Sequence, residues 1–294
     1  MTLREALAQG RFVVTAEASP PKGTNVAGAI AEAEHLRGRA QAFNVTDQQS
    51  SVMRLGSLAL CYLLKERGLE PIFQVTCRDR NRIALQSDLL SAAALGIENV
   101  LCLTGDHVKL GDHPQAKPVF DIDSVSLLRA AAGLMQGQDM AGKKLDGAPN
   151  FFLGAVVSPG ADPVEPQLLK MEKKAQAGAE FFQTQAIFEP DAFARFMETA
   201  QPIGKPVFAG IILLKSAGMA RFMNRNVPGV HVPDRLIEVM ETAKDRQEAS
   251  VGVAVELIRQ LRPHCQGIHL MAMGWDHLLP RVLEASGPAA QGVV

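Results

Sequence analysis

One repeat constrains this chain more than any other feature. Short runs rich in β-branched and aromatic residues recur at intervals of roughly 30 residues, and most are followed by an Ala-, Leu- and Glu-rich stretch with helical periodicity. The strand-like runs fall at 11–17, 42–47, 71–77, 99–105, 151–157, 180–185, 206–212 and 267–272. Helical patterns lie between them at 25–39, 57–68, 81–96, 166–179 and 250–262, several ending on a glycine suited to a left-handed cap. Eight parallel strands linked by helices are the number that closes a barrel, so a single-domain α/β (β/α)8 TIM barrel is predicted, preceded by a short N-terminal helix. A doubly wound open sheet shows the same alternation. Polar residues separate the two. Glu17, Thr46 with Asp47, Thr76 with Arg78, Thr104 with Asp106, and Gln183 with Gln185 stand at the C-terminal ends of five predicted strands. A barrel mouth gathers ligand groups from strands spread round a ring, whereas an open sheet gathers them at one switch point.

Composition narrows the partners. The 294 residues are 47% hydrophobic and 21% charged, which excludes a disordered chain. Thirty Lys and Arg against 31 Asp and Glu supply no field for steering onto nucleic acid or an anionic membrane. The apolar runs are too short to cross a bilayer, and the first residues lack the apolar stretch of a signal peptide, so a cytoplasmic protein is expected. Cys61, Cys77, Cys102 and Cys265 match neither a metal knuckle nor a disulfide framework and read as small buried hydrophobes.

Several motifs fail. Residues 137–144 approach a phosphate-binding loop, but Lys144 stands where a Ser or Thr must hold Mg²⁺. No GxGxxG is present. The pairs Asp106-His107 and Asp112-His113 share one loop, unlike ligands drawn from several strands, and no metal site is predicted. His231, His264 and His269 read as structural. Lys170, Lys173 and Lys174 read as a solvated helix face. Two long connections, 107–123 and 137–150, interrupt the repeat. The first opens at the predicted mouth and is the candidate cofactor or substrate loop; the second is expected on the opposite, structural face.

The chemistry candidates stand on the first and sixth strands. Glu17 precedes Ser19-Pro20-Pro21, and a carboxylate at a mouth walled by prolines and apolar groups would be desolvated, raising its pKa into the range of a general acid. A Glu that caps or salt-bridges a loop is the alternative. Strand alternation points Gln183 and Gln185 to one side, where two primary amides suit a planar heterocycle such as a pterin or flavin.

Taken in order, AEASPPKG at 16–23, NVTD at 44–47, QVTC at 74–77, LTGDH at 103–107, LLKMEKKAQAGA at 168–179 and QTQAIFEP at 183–190 resemble the methylenetetrahydrofolate reductase family over most of the chain. The resemblance implies a flavin-binding (β/α)8 barrel that reduces methylenetetrahydrofolate to methyltetrahydrofolate. It implies Glu17 as the acid opening the methylene bridge, Asp106 beside the flavin and pterin rings, and Gln185, with Gln183 near it, on folate. Thr46, Gln74, Thr104 and Gly105 match flavin-contacting positions. Asp123 is a further flavin-loop candidate, and Lys173 and Lys174 match basic residues near the cofactor phosphates. FAD is the implied cofactor, with FMN the alternative. The chain departs from the family at Ala217, Met271 and Trp275, where an aromatic, a Tyr and an Arg are expected. The departures place it in a divergent branch similar to reductases of acetogenic one-carbon metabolism, its electrons coming from NAD(P)H or from a partner electron-transfer protein. A homo-oligomer or hetero-complex is a family-level expectation. The rival readings are a flavin-free pterin methyltransferase barrel and a non-catalytic subunit of a redox complex.

Overall fold

In the computed structural model, which describes residues 1–287, eight parallel strands close on themselves in sequence order, β8 pairing with β1. The strands are β1 (Val13–Ala18), β2 (Ala42–Val45), β3 (Pro71–Thr76), β4 (Asn99–Leu103), β5 (Phe152–Val157), β6 (Phe181–Ala186), β7 (Val207–Ile212) and β8 (Gly267–Met271). Helices α1 (Leu3–Ala8), α2 (Ala27–His35), α3 (Ser57–Lys65), α4 (Arg82–Ala94), α5 (Ser124–Met135) and α6 (Glu165–Gln176) accompany the first half. The second half carries α7 (Pro190–Ala200), α8 (Ala217–Asn226), α9 (Asp234–Thr242), α10 (Arg246–Leu261) and α11 (Leu279–Ala285). The predicted (β/α)8 barrel is therefore observed, and the open sheet is excluded by the β1–β8 pairing.

Local chemistry starts the helices where the sequence places them. Asn81 caps α4 by accepting from the Ile83 and Ala84 amides, and Asp245 caps α10 through Gln247 and Glu248. Thr2 and Glu5 form a reciprocal capping box on α1. This short helix turns Leu3 and Ala6 beneath the barrel, where they meet Val13, Ala42, Ile72, Leu101, Phe152, Phe181 and Phe208. A second, larger core lies between sheet and helices: Val14, Phe43, Phe73 and Val100 point outward against Leu60, Leu85, Leu127 and Ile258. All four cysteines are free and buried, Cys61 on α3, Cys102 on β4, Cys77 just after β3 and Cys265 just before β8. No helix among the described residues is long and apolar enough to cross a membrane.

Candidate active site

Inward side chains change character up the barrel. Because alternate residues of a strand face the same side, β1 sends Val13, Thr15 and Glu17 inward, and β6 sends Phe181 and Gln183. The lowest level is apolar, with Phe181 stacked between Phe152 and Phe208 at centroid distances of 5.0 and 5.3 Å. The middle level is a closed polar ring from four strands. Asn44 donates through Nδ2 to Gln183 Oε1 and, at 3.5 Å, to His269 Nε2. His269 Nδ1 lies 3.0 Å from Thr15 Oγ1, which receives Gln183 Nε2 at 3.5 Å and donates to the Ile268 carbonyl at 3.4 Å. These bonds fit together with one tautomer, a neutral imidazole protonated on Nδ1. Burial supports that state by pushing the His269 pKa down to about 4. Gln183 therefore requires correction: it faces inward as predicted, but its amide is engaged by Asn44 and Thr15, under the mouth rather than in it.

The upper level carries Glu17. Burial raises its pKa to about 7, the Gln49 amide opposes that rise with a 3.3 Å hydrogen bond to Oε1, and Asp276 adds to it. The acid is thus poised to hold a proton near neutral pH. Gln185 is exposed at the same rim, where the β6–β7 register shifts between Gln183 and Ala186. Thr184 fixes that irregularity: its hydroxyl donates to the Gln185 carbonyl and accepts from the Gly210 amide.

Past the C-terminal end of β4 lies a cleft of about 740 Å³ lined by Thr104, Gly105, His107, Phe120, Ile122 and Asp123. Gly105 holds φ at +92°, and a Cβ there would lie 3.1 Å from both Arg78 and Thr76 side chains, so only glycine lets the chain turn over β3. Thr104 accepts from the Ser124 amide and ties β4 to α5. Asp123 caps α5 through the Ser126 amide. The Asp106 carboxylate is exposed and has no partner among the described residues, while its carbonyl is held by Ser51 and Arg78. Thr46 is buried, and its hydroxyl finds no hydrogen-bond partner. Gln74 lies on the inward side of β3.

Two expectations are corrected here. Lys173 and Lys174 do not share one solvated face, since adjacent helical residues diverge by about 100°. Lys174 is buried, donates to the Val156 carbonyl at 2.6 Å and has its pKa lowered to about 8 by burial; Lys173 faces solvent. The 137–150 connection was expected on the far face, but its tip returns to the cleft and Met140 helps line it. A Gln138–Lys144 bridge folds it into a hairpin, and the Met140 amide donates to Gln86 on α4.

Sequence reasoning missed Gln49, for which a polar run after a strand is no signal. It also missed the pairing of Asp47 with Arg80, whose guanidinium grips both carboxylate oxygens while Thr76 donates twice to one of them. Among the described residues no group of three or more His, Cys, Asp or Glu side chains could hold a metal ion.

Fold and site define a (β/α)8 barrel whose C-terminal mouth carries a near-neutral carboxylic acid, with a cleft opening past β4. The chain belongs to the methylenetetrahydrofolate reductase family, whose profile matches residues 2–287. Similar curated proteins include methylenetetrahydrofolate reductase 2 of Schizosaccharomyces pombe, 25% identical over 79% of this chain and 38% of that one. A probable NADPH-dependent enzyme of Caenorhabditis elegans is 22% identical over 75% of this chain and 33% of its own length. The chain thus spans little more than a third of such relatives. An uncharacterized Clostridium thermocellum protein that binds two copies of 5-methyl-5,6,7,8-tetrahydrofolic acid shares the fold, with a TM-score of 0.67, 15% identity and coverage of 98% and 97%.

Proposed function

We propose that this chain binds a flavin and reduces methylenetetrahydrofolate to methyltetrahydrofolate, with Glu17 as the general acid. The observation that carries the reading is Glu17 itself, an acid whose pKa stands at about 7 on the rim that also presents Gln185. Family membership and the folate bound by the Clostridium thermocellum protein support it.

The residues fit a flavin. The unpartnered hydroxyl of buried Thr46 offers a hydrogen bond that nothing in the protein uses, and the cleft past β4 has the size of a cofactor site. Thr46, Gln74, Thr104 and Gly105 would hold the ring end, and Asp123 at the cleft wall would meet ribityl hydroxyls. Lys174, close enough to Asp123 to feel its charge, would act through that wall rather than on phosphate directly. A bound reduced flavin would supply hydride. FAD is the cofactor the family resemblance implies, with FMN the alternative.

The protein's own part is proton management. In the substrate one carbon bridges two nitrogens and accepts hydride only after one C–N bond opens to an iminium. Glu17 donates a proton to the departing nitrogen, and its raised pKa keeps that proton available at neutral pH. Gln185 orients the pterin through both amide functions, and Asp106 faces the rings as a fixed negative charge that favours the cationic iminium.

Purified protein decides the rival readings. A released flavin, identified by chromatography after denaturation, excludes the flavin-free methyltransferase. Glu17→Gln is expected to keep the flavin and lose folate reduction by about 10²–10⁴-fold; undiminished turnover would remove Glu17 from the mechanism. Anaerobic bleaching by NADH would assign a pyridine nucleotide as donor. Turnover with an artificial reductant but no bleaching would assign a partner protein.

A further inference from the structure

The turn between β2 and α3 is strained without containing a glycine. Gln48, Ser50 and Ser51 hold φ at 50°, 54° and 59°, a left-handed backbone that side-chain-bearing residues rarely adopt. The turn is pinned from several directions. Buried Arg78 donates to the Gln48 carbonyl at 3.3 Å and to Ser51 Oγ at 3.0 Å. Ser51 Oγ in turn donates to the carbonyls of Asp106 and His107. The Gln48 side chain bonds both the amide and the carbonyl of Arg54. From the long loop, Gly111 comes so close that a Cβ would sit 1.8 Å from the Ser51 carbonyl oxygen. Strain of this kind persists where surrounding structure over-determines it, and it concentrates where function uses it.

The use is visible in one side chain. Gln49 reaches across from this turn to β1 and donates from Nε2 to Glu17 Oε1 at 3.3 Å. Among the described residues Glu17 Oε2 has no hydrogen-bond partner. We propose that Gln49 is a positioning residue for proton delivery: it occupies Oε1, so that the proton of Glu17 resides on Oε2 and faces the folate site. The inference rests on the reading of Glu17 as the acid. An amide donor on one oxygen of a carboxyl favours the ionised form, against burial and against Asp276 from the turn after β8. Asp276 is itself faced by His277 and Lys215, and by Glu32 of α2. Gln49 is therefore the group that keeps the proton transferable.

The test uses the full chain carrying ¹³C-labelled glutamate, with Glu17→Gln identifying the Glu17 carboxyl resonance. Gln49→Met keeps length and removes the donor, and Gln49→Asn keeps the amide but shortens its reach. Gln49 is exposed, so neither change disturbs the core. In both, the Glu17 midpoint is expected to rise by roughly 0.5–1 pH unit. The alkaline limb of folate reduction should move with it while the KM for folate stays unchanged. A midpoint and limb that do not move would overturn the inference, even with Glu17→Gln inactive. Full turnover in Glu17→Gln would overturn the parent reading and this one together.

Discussion

The floor and the mouth of one barrel are made by the same strands and obey opposite rules. Up β1 the inward residues read Val13, Thr15, Glu17, and up β6 they read Phe181 and Gln183, with exposed Gln185 at the rim. The floor is closed by α1 and is apolar but for Arg4, which lies over the Phe152 ring with its Nε unpartnered; the mouth has an acid held near neutrality, an exposed amide and an orphaned hydroxyl at Thr46. Between them the ring of Thr15, Asn44, Gln183 and His269 is polar yet internally bonded, apart from the Asn44 carbonyl oxygen, which has no partner. Stability is concentrated below and reactivity above, with a layer between that lets polar groups begin without exposing the core.

That contrast can be broken from below first. Phe181→Ala removes the middle of the three-ring stack and should destabilise the fold by about 3–5 kcal/mol, measured by denaturant unfolding. The flavin content of the surviving folded fraction should be unchanged. Next comes pH. His269, held near 4, makes the fold lose stability as pH falls from its ordinary 6.5, because the unfolded chain binds the proton first. Glu17, held near 7, does the reverse: the folded state takes up its proton before the unfolded one does, so stability rises as pH falls from 7 towards 4.5. In wild type the two slopes oppose each other. Glu17→Gln removes one, and its stability should fall by about 1 kcal/mol per pH unit between pH 6 and 5 in thermal or urea unfolding. A flat profile in that variant would show that His269 is not the buried neutral group described here.

Smaller effects sharpen the boundary between layers. Gln183→Leu strands the Asn44 amide and should cost about 1–3 kcal/mol while leaving folate affinity nearly intact. A large loss of folate affinity with normal stability would return Gln183 to the binding site. Thr46→Val removes an unbonded hydroxyl, so stability should change by about 0.5 kcal/mol or less, whereas flavin affinity should fall several-fold by equilibrium titration.

Much of this was legible in the chain. Strand spacing foretold the barrel, and alternation foretold that Gln183 faces its interior; the register shift beyond Gln183 is where alternation stops guiding Gln185. It could not foretell that Gln183 is already engaged, because its partners Asn44 and Thr15 lie 139 and 168 residues away. The return of the 137–150 hairpin depends on one backbone bond from Met140 to Gln86, which no pattern announces. Gln49 stayed hidden for a related reason: its place is set by a left-handed turn clamped by Arg78, and neither Gln48 nor Ser51 is a residue that advertises such a backbone. The departures at Ala217, Met271 and Trp275 were legible as substitutions. What Trp275 does was not: Lys215 from the end of β7 lies over its ring at 5.4 Å.

The central claim is that groups far apart in the chain meet over one ligand pair at the mouth. A crystal structure of the protein with flavin and methyltetrahydrofolate tests it most directly. The account predicts the pterin stacked on the flavin ring, with Glu17 and Gln185 both within hydrogen-bonding distance of it. A folate seated away from Glu17, or a flavin outside the cleft that begins at Thr104 and Gly105, would contradict it.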